Sequence, residues 1–255
     1  YVDARPGTFP PATSTQEYLA GMPDPADSSH YTIVSFYRFG VIGDPESFAT
    51  QLRALWKPFK AHGRVYVATE GVNAQCAVPS NVLGHFRIAC ETLPFFHDQY
   101  LNPDHEMTRA EYEAEKPFKA MHIRVRDQIV ADGLEAPLDW TRGGQEMDPM
   151  DWHVALDKQG AVVLDCRNSY ESDVGIFQGA IPLQTTFFRE SWEALDEILK
   201  DTPKDAPIMT YCTGGIRCIK TNAYIEQKLG FTNVNRLKGG IISYARALEE
   251  GANAA

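Results

Sequence analysis

A cysteine between an apolar strand and a glycine turn is placed for chemistry. Residues 207–212 (PIMTYC) read as a buried strand. Tyr211-Cys212-Thr213-Gly214-Gly215-Ile216-Arg217-Cys218 then leads into a helix expected over 215–230. Such a turn aims backbone N–H groups at the sulfur and sets it at a helix N-terminus. Both effects favour the reactive thiolate, as does a nearby arginine. Cys212 is therefore the candidate nucleophile, with Thr213, Gly214, Gly215, Ile216 and Arg217 as the loop around it. The alternative is a buried strand-end cysteine beside a turn; the coincidence of strand, glycines, arginine and helix argues against it. The C-x4-R spacing is one residue shorter than the C-x5-R loop with which tyrosine phosphatases surround a phosphoryl group, so phosphatase chemistry is disfavoured. All seven histidines precede residue 154, which excludes a Cys–His dyad confined to residues 154–255.

The elements that must position this loop fall into two groups. Residues 1–30 are proline-rich and read as a lead-in. Strands are expected at 31–39, 64–69, 72–78 and 120–130, and helices from Asp44 to Gly63 and over 80–93. That order, β-α-β-β-α-β, is the ferredoxin-like α+β pattern, placing one domain over 31–130 with an insertion at 94–117. Residues 131–150, with Gly133, Pro137, Gly143, Gly144 and Pro149, read as a linker. From 151 to 255 buried strands alternate with helices, which implies an α/β domain with a parallel central sheet.

The 255 residues carry a net charge of −10, so a uniformly basic nucleic-acid binder is excluded. The acid is uneven, however. Residues 50–67 and 116–126 each hold four Lys/Arg and no acid, and residues 206–246 hold six against Glu226 alone. Binding to a nucleic acid would be local and strongly salt-dependent. Tyr37, Phe39 and Tyr66, interleaved with the N-terminal strands, are candidates either for base stacking or for core. Five sparse cysteines argue against a disulfide scaffold and for free thiols in a reducing, cytoplasmic compartment. No apolar run is long enough to span a membrane. The chain begins at Tyr1, so a preceding targeting segment remains open. His97, Asp98, Asp104 and His105 lack metal-ligand spacing, and no metal is expected.

Asp165-Cys166-Arg167-Asn168-Ser169-Tyr170-Glu171 with Gly175-Ile176-Phe177-Gln178-Gly179-Ala180-Ile181 resembles the first signature of rhodanese domains. Cys212 to Lys220, with Leu237-Lys238-Gly239-Gly240-Ile241, resembles the second. The string C-T-G-G-I-R-C, Phe188-Arg189-Glu190, Glu70-Gly71-Val72-Asn73 and Pro117-Phe118…Met121…Ile123-Arg124-Val125 together resemble the rhodanese-type tRNA uridine hydroxylases. The resemblance covers roughly residues 31–246. It implies an oxygen-dependent 5-hydroxylation of the wobble uridine, a tRNA modification and tRNA-processing step. The anticodon loop would then be the partner, with molecular oxygen as co-substrate and no evident cofactor. Ile219 and Pro182-Leu183 depart from that family's pattern and bear on substrate detail.

Within the resemblance, Asp165 and Arg167 are either a structural ion pair or polarise the substrate pocket. Glu171 anchors backbone, and Arg189 is a supporting residue. Arg217 is a thiolate partner or phosphate clamp. Glu70, Gly71 and Asn73 are turn residues or face the substrate, as do Lys220 and Arg124. Cys218 is buried packing or a resolving thiol. Two other functions fit the same loop: a sulfurtransferase holding a persulfide on Cys212, and a protein-binding module without catalysis.

Overall fold

The computed structural model describes residues 15–156 and 160–254. The chain divides between Ile129 and Val130 into two compact units.

The first unit holds α1 (Thr15–Ala20), β1 (His30–Phe39), α2 (Pro45–Trp56), β2 (His62–Ala68), β3 (Gly71–Pro79), α3 (Leu83–Glu91), β4 (Pro103–Thr108), α4 (Arg109–Glu115) and β5 (Met121–Val125). Of the lead-in, residues 1–14 lie outside the described residues. The remainder is packed: Arg109 donates to the carbonyls of Ser28 and Ala26, both at 2.9 Å. α2 starts where Asp44 accepts from the Ser47 N–H at 3.0 Å and Pro45 fills the first turn. Its Ala49, Leu52 and Trp56 meet Val34, Phe36, Val65, Val67 and Phe86 in one core.

The sheet order is β4-β1-β3-β2-β5. β1 is antiparallel to β3 and β4, β2 is antiparallel to β3, and β5 is parallel to β2. The ferredoxin-like fold is present, with one correction. Its fourth strand is β4, inside the stretch 94–117 expected as an insertion. The strand expected as last is a fifth one, added on the opposite edge. β4 escapes recognition because it is an edge strand with Met107 alone buried, so its sequence, PDHEMT, has no apolar alternation.

The second unit holds β6 (Gln145–Met147), α5 (Pro149–Leu156), β7 (Val162–Asp165), α6 (Ser169–Ser172), β8 (Ile181–Pro182), α7 (Ser191–Leu199), β9 (Ile208–Tyr211), α8 (Ile216–Gln227), β10 (Val234–Leu237) and α9 (Gly240–Ala254). The strands pair in parallel in the order β6-β10-β9-β7-β8. Alternate side chains serve two cores, as expected where helices cover both sheet faces. Leu164, Ile208 and Val234 pack with Leu195 of α7 and Ile225 of α8. Val163, Met209 and Tyr211 pack with Trp152 of α5 and Tyr244 of α9.

The stretch expected as a linker belongs to this unit. Leu134 and Leu138 pack on its core, as does Val130 just before them, expected at the end of the last strand of the first domain. The Trp192 indole N–H donates to the Asp132 carbonyl at 2.6 Å. Among the described residues no helix is long and apolar enough to cross a membrane.

Candidate active site

The β9–α8 loop leaves the C-terminal end of the middle strand, beside the loop that leaves β7. Ligand sites of parallel sheets form outside such strand ends. The pairing Asp165↔Tyr211 sets the two loops side by side, and the Cys166 N–H donates to the Tyr211 carbonyl at 2.8 Å. The Gly215 N–H points at Cys212 Sγ, 3.1 Å away. The loop carbonyls are held from behind. Cys212 O and Thr213 O accept from the N–H groups of Ile241 and Ile242 at 2.9 and 3.3 Å, at the start of α9. Gly240 makes this possible: its φ is +66°, and a Cβ there would lie 2.4 Å from Thr213 O.

Cys212 is fully buried, and so is Cys218 beside it. Cys218 in turn contacts the thiol of Cys166. All three cysteines are free. Burial pushes the Cys212 thiol well up, the neighbouring Cys218 adds to this, and Arg217 opposes it. Burial thus works against the thiolate expected from the loop alone. Desolvation outweighs the backbone amides of Gly215 and Cys218 and a nearby guanidinium.

Arg217 is closed onto a carboxylate. Its two terminal nitrogens donate to Glu171 at 2.6 and 2.8 Å, and one also reaches Thr213 Oγ1 at 3.0 Å. Thr213 Oγ1 donates to Glu171 as well. Burial alone would raise the Glu171 carboxyl, but the bonds from Arg217 and Thr213 hold it down at about 2. Glu171 also accepts from the Asn168 N–H at 3.1 Å, the backbone anchoring expected of it. Loop, α6 and α8 are therefore tied through one carboxylate.

Behind them, Asp165 is a buried hub. Arg167 meets it through Nη2 at 2.6 Å and Nε at 2.9 Å. The Tyr211 hydroxyl and Ser172 Oγ donate to it at 2.9 and 3.0 Å. Arg167 also donates to the Gly175 carbonyl at 2.5 Å. Of the two readings for Asp165 and Arg167, this geometry describes the structural ion pair.

Other expected residues stand elsewhere. Lys220, expected to face substrate, is buried; its Nζ donates to Asp132 Oδ2 at 2.7 Å and Val130 O at 3.0 Å. It fixes the segment before β6 to α8. Arg189 is exposed, its guanidinium 5.0 Å from the Phe187 ring. In the first unit Glu70 accepts from the Ile129 N–H at 2.7 Å, and Asn73 donates to the Ile129 carbonyl at 3.1 Å. Gly71 lets the turn close, since a Cβ there would lie 2.1 Å from Arg38 O. The E-G-V-N motif is a backbone clamp. Arg124 is exposed on β5.

Asp132 and the α9 amides are parts of the arrangement that the sequence reading did not single out. A lone acid in a Gly/Pro stretch gives no signal of burial; Gly239-Gly240 did mark the second.

Residues 31–129 match the UPF0176 acylphosphatase like domain, and residues 150–247 match the Rhodanese-like domain. The chain is thus an acylphosphatase-like domain of the UPF0176 type followed by a rhodanese-like domain. Its relatives are more particular. The tRNA uridine(34) hydroxylase of Leptospira interrogans is 35% identical over 220 residues, covering 86% of this chain and 58% of that protein. That of Salmonella choleraesuis is 37% identical over 227 residues, covering 88% and 63%. That of Escherichia coli is 36% identical over 229 residues, covering 88% and 63%. The chain spans about three fifths of the length of these curated relatives.

Proposed function

We propose that the chain hydroxylates uridine at the wobble position of tRNA, with Cys212 as the reacting group, one atom of molecular oxygen entering the base and the other leaving as water with two electrons from an external reductant such as a dithiol. The observation that carries this is the Cys212 loop: a thiol with a backbone N–H 3.1 Å from its sulfur at the start of α8. The relatives' shared name supplies the reaction. The sulfur is sealed at rest, so the substrate uridine must leave its stack and displace part of the 213–214 surface to reach it. Opening the loop to water lifts the desolvation that keeps the thiol protonated. The Gly215 N–H then faces an anionic sulfur. Glu171 holds Arg217 beside it, so the guanidinium keeps its place while the 213–214 surface moves.

The rhodanese-like domain favours a second reading, a persulfide carried on Cys212. The same amide would hold that small anion. The two separate in cells lacking the gene, complemented with wild type or Cys212→Ser. Hydroxylation predicts loss of 5-hydroxyuridine-derived nucleosides from tRNA in the deletion and in the Cys212→Ser strain. Unchanged nucleosides, with a +32 Da adduct on Cys212, would favour sulfur transfer.

A further inference from the structure

Four strands of the first unit, β1, β2, β3 and β5, contain no aspartate or glutamate, yet hold Arg38, Arg64, Arg124, His30, His62 and His122. In a chain of net charge −10 this is a local reversal of sign. Register gathers part of it on one face. Arg64 lies opposite Gln75 and His122, and Tyr66 opposite Asn73 and Arg124. Residues paired across a ladder share a face, and their neighbours Val65 and Ile123 point into the core with α2 and α3. Arg64, Tyr66, His122 and Arg124 therefore stand on the face away from those helices.

Arg64, Gln75, His122 and Arg124 are exposed, and Tyr66 is half-buried. Just past β5, the Arg126 guanidinium carbon lies 5.7 Å from the centre of the Tyr66 ring. The carboxylate of the β2–β3 turn, Glu70, faces the Ile129 N–H. Glu113 of α4 is paired with Lys116 at 3.0 Å.

We propose that this sheet face binds RNA, with Arg64, Arg124 and Arg126 on phosphates and Tyr66 against a base. Guanidiniums suit phosphate oxygens, and aromatic rings and guanidinium planes are the surfaces on which unpaired bases stack. An acidic protein would match the charge but would have no use for the Tyr66–Arg126 plane. The inference rests on the tRNA reading and gives the first unit its share in substrate binding.

The test is anisotropy of labelled tRNA with the full chain over a salt series. Arg64→Gln with Arg124→Gln should weaken binding about tenfold or more, and should flatten the log K against log salt slope by about 1.4, two single-strand phosphate contacts. Tyr66→Ala should weaken binding with the slope unchanged. Arg64→Lys with Arg124→Lys should keep the slope, which separates lost charge from lost folding. Lys204→Gln, an exposed lysine outside the basic stretches, should change neither. A doubly neutralised chain that binds with wild-type affinity and slope overturns the proposal while leaving hydroxylation standing. A wild-type chain that binds no tRNA overturns both.

Discussion

Arg217 and Glu171 meet through two parallel hydrogen bonds of 2.6 and 2.8 Å, so the arginine of the reactive loop is held by α6 rather than left open over Cys212. The pair is enclosed, its side chains 13% and 19% exposed. Its role is to fix the loop and to offset the charge that would otherwise act on the thiol.

Glu171→Gln should separate these roles. It leaves a guanidinium without its counter-charge beside Cys212, which favours the thiolate. Iodoacetamide should therefore label Cys212 faster at pH 7 in the variant than in wild type, read by peptide mass spectrometry. Stability should change with a defined pH signature. The folded-state carboxyl at about 2 lies below its ordinary 4.5, so its contribution is present above 4.5 and lost as pH falls towards 2. A depression of that size corresponds to roughly 3 kcal/mol, an upper figure for a pair with some solvent contact. Urea midpoints should converge between wild type and variant over that window. Parallel curves would contradict the pairing.

Lys220 and Asp132 form another enclosed pair, 3% and 4% exposed. Lys220→Met alone strands a buried carboxylate and should cost about 3–5 kcal/mol. Adding Asp132→Asn keeps an acceptor for the Leu134 N–H, 2.9 Å from Asp132 Oδ1, and removes the charge. The double variant should recover much of the loss in urea denaturation. Additive losses would mean that the two groups do not interact.

Gly240→Ala tests the support behind the loop. A Cβ there meets Thr213 O at 2.4 Å and Cys212 O at 2.5 Å, both backbone atoms, at a positive φ. The substitution should destabilise by about 2 kcal/mol or more, and should abolish tRNA modification at temperatures where the chain stays folded. Alanine at Gly160, where open space surrounds the Cβ at a similar positive φ, should cost less and spare activity.

The strand–turn–helix around Cys212 was legible because strand, Gly-Gly and Arg217 are consecutive, and local signals suffice for it. Glu171's partner was not: Arg217 lies 46 positions away, and only the sheet's parallel register brings α6 and α8 together. Lys220 misled for the same reason, as a lysine on a polar-looking helix face has no sequence sign that Asp132, 88 positions earlier, neutralises it. Glu70 and Asn73 read as turn or substrate residues because their target is a main-chain amide and carbonyl, which every residue offers. β4 was missed because an edge strand needs no apolar face.

The account's central claim is tested most directly with purified chain, substrate tRNA, a dithiol reductant and ¹⁸O₂, followed by mass spectrometry of the digested nucleosides. The account predicts 5-hydroxyuridine at the wobble position, with its new oxygen heavy, in the wild-type reaction and none with Cys212→Ser. Hydroxylation undiminished in Cys212→Ser, or oxygen drawn from water instead of ¹⁸O₂, would contradict it.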